Sequence, residues 1–192
     1  MSPRLRLTLL ATVPGLLIGT VGIFHPAELT AADAERWRNI HVVLLPLFPL
    51  LALAPWLLAR RENRVAGWVG LLLGYTFAMF YTGLDLIAGA AAGVLKMAGS
   101  EDLAPIFAFG NGLAEVGVWA HLLAASLASA LVLRSSGWRA LPGAVLVIAA
   151  SVSFMGSHVY WPEGVATMYA LAVGWGLLAW MGDSPTKRGA RA

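Results

Sequence analysis

Apolar runs long enough to cross a lipid bilayer recur along this chain, with little sequence left between them. Crossing a hydrocarbon core takes about 20 residues as a helix. Such runs fall near residues 6–24, 40–58, 66–90, 112–133, 141–159 and 164–181. The composition agrees, since 59% of the 192 residues are hydrophobic and 12% charged, against roughly 25% charged in a soluble domain. A β-barrel would need short alternating segments, and these runs are continuous. The expected fold is all-α: a polytopic six-transmembrane-helix bundle forming one integral membrane domain over residues 1–192. Arg4 and Arg6 give the first run the look of a signal peptide. It is longer than a usual signal core, and no small-residue cleavage site follows Phe24, so it reads as a retained span. With no cysteine, the chain has no disulfide, thiolate ligand or cysteine nucleophile.

The basic residues set an orientation. With the N-terminus inside, Arg4, Arg6, Arg60, Arg61, Arg64, Arg134, Arg139, Lys187, Arg188 and Arg191 are cytoplasmic, and Arg36, Arg38 and Lys96 are outside. Ten against three, in short loops, predicts that both termini are cytoplasmic. The net charge of +3 is thus an orientation signal and gives no reason to expect nucleic acid as a partner. Trp56, Trp68, Trp138 and Trp180 fall at the predicted inner boundaries, and Trp37, Tyr160 and Trp161 near the outer ones, as in an aromatic belt. The expected location is the cell membrane, multi-pass, of the bacterial cytoplasmic kind.

No connection is long enough for a soluble domain, so any activity belongs to the bundle itself. In the outer connection over 26–39, Thr30 to Asp33 resembles a capping box, predicting a short interfacial helix from Ala31 to Arg38. The connection over 97–111, with Pro105 and Gly110, reads as a re-entrant or lid segment. The second span contains Pro46, Pro49 and Pro55. Each removes a backbone donor, predicting either a kinked helix or a broken one beside a polar path. His25-Pro26-Ala27-Glu28 faintly echoes the segment from His158 to Pro162 and Glu163.

All four histidines and eight of the ten acidic residues fall on the outer side of this topology. Ionisable side chains are expensive in a bilayer, so such a cluster marks a functional site by default. Asp85 lies about five residues inside the third span, roughly 7–8 Å deep, and His121 about nine residues inside the fourth, roughly 13 Å deep. Glu115 sits one turn in, with His25, His41 and His158 at the rim. Gly117, His121, Ala124, Ala125 and Ala128 share one helical face, as do Gly74, Ala78, Tyr81, Asp85, Ala88, Gly89 and Ala92. Small stripes of this kind mark helix contacts, so Asp85 and His121 are expected to point inward.

Several histidines with one or two carboxylates are the ligand chemistry of a divalent metal ion, zinc first among them. The expected ligands are His41, His121 and His158, with Asp85 as a fourth ligand or an orienting group. Glu115 is expected to act as general base, and Tyr81 to steady Asp85 or an oxyanion. His25, before Pro26, reads mainly as a loop residue. Such a centre suits metal-dependent hydrolysis of a lipidic substrate entering from the outer side. The competing readings are an ion- or proton-coupled transporter or channel, a metal-free acid–base isomerase or cyclase of an isoprenoid-like lipid, a haem protein, and a non-catalytic subunit of a membrane complex. No H-E-x-x-H or H-x-x-x-H pattern is present, so every ligand must come from a different helix.

Overall fold

In the computed structural model, residues 1–182 are described. Lys187, Arg188 and Arg191, counted above on the cytoplasmic side, lie outside the described residues. Those described form helices and no strand: α1 (Pro3–Gly22), α2 (Ala34–Leu44), α3 (Leu53–Glu62), α4 (Arg64–Leu84), α5 (Ala92–Met97), α6 (Ala104–Ser136), α7 (Leu141–Ser157) and α8 (Glu163–Met181). Tighter 3₁₀ turns at Phe48–Ala52 and Gly137–Ala140 lead into α3 and α7, and a wider π-helical stretch, Asp85–Ala91, joins α4 to α5.

Among the described residues five stretches are long and apolar enough to cross a membrane: Pro3–Gly22, Ala34–Glu62, Arg64–Met97, Ala104–Ser157 and Glu163–Met181. The 54-residue stretch holds two of the expected spans. It folds at Gly137, whose φ of +65° a side-chain-bearing residue adopts only with strain, so that α7 packs on both α6 and α8.

The helices carry large apolar side chains outward and small ones inward. In α1, Leu9, Leu10, Val13, Leu16 and Leu17 are exposed, while Ala11, Pro14, Gly15, Ile18, Gly19 and Gly22 are buried. A soluble helix reverses this pattern; lipid accepts apolar surface and rewards close backbone packing. The backbone of α8 lies so near that a Cβ on Gly15 would stand 2.8 Å from the carbonyl oxygen of Met168.

Two expected connections are shorter in the structure. Helix α5 continues the third stretch to Met97, and α6 starts at Ala104 rather than near residue 112. The lid expected over 97–111 shrinks to residues 98–103. Pro105 lies in the first turn of α6, where a missing backbone donor costs nothing. The helix expected from Ala31 begins instead at Ala34 and runs straight into the second stretch. Thr30 and Asp33 do exchange hydrogen bonds, at 2.9 and 3.1 Å. The prolines interrupt the regular helix of that stretch. Regular α-helix stops at Leu44 and resumes at Leu53, with Pro46 and Pro49 in the gap. Pro55 sits within the first turn of α3, where the chain tolerates it.

Candidate metal centre

His41 projects from the last turn of α2 before the proline break. His25 lies three residues after α1, and His158 ends α7. One nitrogen from each of His25, His41 and His158 lies within 4.8 Å of the others. His25 and His41 are buried and His158 partly so.

The hydrogen bonds orient these rings. Nδ1 of His41 is 2.8 Å from the carbonyl of Trp37, and Nδ1 of His25 is 2.7 Å from that of Pro26. A carbonyl only accepts, so each Nδ1 carries the proton and each Nε2 presents a lone pair. Those two Nε2 atoms face one another at 3.4 Å. Facing lone pairs repel unless a cation lies between them. A tetrahedral ion with bonds of about 2.0–2.1 Å to nitrogen holds its ligand atoms roughly 3.3–3.4 Å apart. The protonated Nδ1 on a backbone carbonyl is also the usual outer support of a metal-binding imidazole. In His158, Nδ1 is 2.6 Å from the Tyr81 hydroxyl; in the tautomer whose Nδ1–H donates to that oxygen, the other ring nitrogen presents a lone pair. His158 holds a φ of +44°, and a left-handed non-glycine residue is strain of the kind that gathers at functional sites.

Aromatic rings enclose the cluster. Trp37 lies 4.8 Å from the His25 ring and 5.0 Å from that of His41. Tyr160 lies 4.8 Å from His25 and 5.2 Å from His158. Both were expected in a boundary belt; Trp37 is instead 3% exposed. Burial, with the nearby His41 adding to it, pushes His25 down from 6.5 to about 4. Burial, and secondly the Asp85 carboxylate, push Tyr160 up to about 12.

The π-helical stretch forms the floor. Trp37 Nε1 donates to the carbonyl of Ala88 at 3.2 Å, tying α2 to that stretch. Any side chain on Gly89 would overlap the His41 ring. Tyr81, Asp85 and Gly89 are four residues apart along one face. Tyr81 touches His158 and Gly89 touches His41; Asp85 lies between them along the helix but, against expectation, is not one of the residues that could hold a metal ion together among the described residues. It is completely buried, and neither carboxylate oxygen has a hydrogen-bond partner among the described residues. A buried carboxylate without a partner is costly and calls for an ion or a water.

The expected residues are thus only partly brought together. His41 and His158 join, with Tyr81 and Asp85 beside them, and His25 completes the trio in the place expected of His121. His121 is buried between Phe77 and Phe154, with ring centroids 5.0 and 5.8 Å away, and lies outside the cluster. His25 was read as a loop residue because it lies beyond a helix end; no periodicity along the chain places it against His41 and His158, which it joins in the fold. Glu115 is exposed and lines a cavity of about 530 Å³ whose walls include His41, His158 and Tyr81. Among the described residues no hydrogen bond links Glu115 to a histidine of the cluster. No protein-family model, curated protein or solved structure matches this chain.

Proposed function

We propose that this protein is a membrane-embedded, metal-dependent hydrolase of a lipidic substrate, with His25, His41 and His158 as ligands of a divalent ion. The observation that carries the reading is the pair of Nε2 lone pairs facing at 3.4 Å, each ring pinned by a backbone carbonyl behind it. All-imidazole ligation suits zinc, copper, iron or nickel. Zinc with three protein ligands and one open position lowers the pKa of bound water to about 7 and polarises a carbonyl.

In this reading the water oxygen bonds to the carbonyl carbon of an ester or amide. The bond from that carbon to the leaving group breaks, and the water's proton passes to the leaving group. Asp85 is assigned to carry that proton, because it is the buried carboxyl set between Tyr81 and Gly89 along the helix and its oxygens have no other partner among the described residues. Tyr81 holds His158 in place through their hydrogen bond. With no hydrogen bond from Glu115 to the cluster, the base role expected of that residue is not part of this proposal. The stretch Ala104–Ser157 would cross the membrane twice. That makes six crossings of the cell membrane, both termini cytoplasmic and the cluster at the outer face, in keeping with the bias of basic residues.

The test is metal content, by mass spectrometry, of protein purified without a metal-affinity step. About one ion per chain is expected, lost in His25→Ala and His41→Ala and kept in His121→Ala. A folded, unchelated preparation without stoichiometric metal, or a metal lost in His121→Ala and kept in His25→Ala, refutes the assignment.

A further inference from the structure

The cavity beside the cluster has a chemical character of its own. Helix α6 forms one wall with Phe107, Asn111, Glu115 and Trp119, spaced four apart and so on one face. Trp37 and Tyr160 add further rings, and Met155 and Gly156 of α7 lie at another wall. Among the described residues Glu115 is the one carboxylate in this lining, and none of the lining residues is a lysine or arginine. No ion pair engages it among the described residues. The volume of about 530 Å³ falls in the range of small-molecule sites, roughly 300–1,000 Å³.

Aromatic faces carry negative potential and attract cations, quaternary ammonium groups above all. A single unpaired carboxylate adds to that attraction. An anionic head group would meet both without the arginine that phosphate and sulfate recognition ordinarily uses. A Cβ on Gly156 would meet no atom within 4 Å. Val116 and Val152, beside the cavity residues on their helices, are 43% and 54% exposed. The cavity thus has open space at Gly156 and exposed apolar side chains beside it, which an alkyl chain could cover.

We propose that this cavity binds amphiphiles whose head group carries an ammonium charge, with Glu115 as the counter-ion and Trp119 as the aromatic wall one turn away. The inference rests on the reading of the protein as a lipid-directed metal enzyme only for its catalytic meaning; the binding preference stands on the lining. It makes the substrate a cationic amphiphile, selected at the cavity before its ester or amide bond reaches the metal.

The experiment is calorimetric titration of the full chain in neutral nanodiscs with octyltrimethylammonium, and with octylsulfonate as the anionic counterpart of equal chain length. The ammonium probe is expected to bind at least tenfold tighter than the sulfonate, a difference of the size one cation–aromatic and one ionic contact supply together. Glu115→Gln is expected to weaken it about twofold to fivefold and Trp119→Leu about threefold to fivefold, with metal content unchanged. Both side chains are exposed, so neither replacement disturbs the core. Asn111→Asp, which adds a second carboxylate one turn away, is expected to tighten ammonium binding. Equal affinity for the two probes, or Glu115→Gln binding the ammonium probe as well as the unsubstituted protein does, overturns the proposal. Ammonium selectivity in a protein without metal refutes the hydrolase reading and leaves this one standing. Stoichiometric metal without selectivity does the reverse.

Discussion

Replacing Gly89 with alanine tests the centre through its second layer, without touching a ligand. The added Cβ would lie 2.7 Å from the His41 Cβ, where ordinary contact begins near 3.4 Å, so these atoms must part by about 0.7 Å. The His41 ring atoms are closer still and must move further. Metal–ligand distances tolerate about ±0.2 Å, so the shift takes Nε2 out of bonding range unless the ring turns and gives up its bond to the Trp37 carbonyl. The expected loss of metal affinity is about 10–100-fold, or about 1.4–2.7 kcal/mol. Stability should change less. Overpacking costs about 1–3 kcal/mol, and alanine returns up to about 1 kcal/mol over glycine in a helix. The assay is competition for zinc against a chromophoric chelator, with circular dichroism to establish that the variant is helical. Gly112→Ala is the control, since a Cβ there meets nothing within 4 Å. A folded Gly89→Ala protein whose zinc affinity stays within twofold of the original would show that His41 is not a ligand in this geometry.

Asp85→Asn keeps the volume and removes the charge. It is expected to abolish hydrolysis and to leave the metal bound, since an amide cannot take up the proton; hydrolysis at an unchanged rate in a variant with full metal content would remove Asp85 from the proton transfer. Tyr81→Phe deletes the hydroxyl on His158 Nδ1 and is expected to weaken metal binding about 10-fold with little change in helicity, read by the same competition titration. The metal-free protein should also lose stability in acid. His25 is held at about 4 in the fold against 6.5 unfolded, so its contribution is complete above pH 6.5 and is lost as the pH falls towards 4. The loss amounts to about 3 kcal/mol. Melting curves between pH 7 and 4 read this directly, and His25→Ala should flatten them.

Much of the architecture was legible because a bilayer leaves few choices. Every backbone polar group must be paired within the span, so long apolar runs must be helices. The small-residue faces of the third and fourth runs do pack inward as their spacing predicts, Ala78 alone being only half-buried among them. Helix ends were less legible. Pro105 reads as a breaker in isolation, yet proline starts helices as readily as it stops them. Which outcome holds depends on whether the preceding residues, here Leu103 in the buried core, have something to pack against.

The centre divides along the same line. Residue chemistry and position along the spans were enough to single out His41, His158, Asp85 and Tyr81 as a polar group at one end of the bundle. Depth along a helix says how far in a side chain lies and nothing about which neighbour it meets. His121 is deep and faces inward, yet it faces Phe77 and Phe154; His25 lies beyond a helix end, yet the packing of α1 on α8 and the break after α2 carry it to His41. Local composition, set against a fixed bilayer thickness, determined the helices, their apolar surfaces and the supply of buried histidines and carboxyls. Tertiary structure alone decided which three histidines meet, because that depends on the rotation and crossing of helices, which close packing of small residues sets and no periodicity encodes.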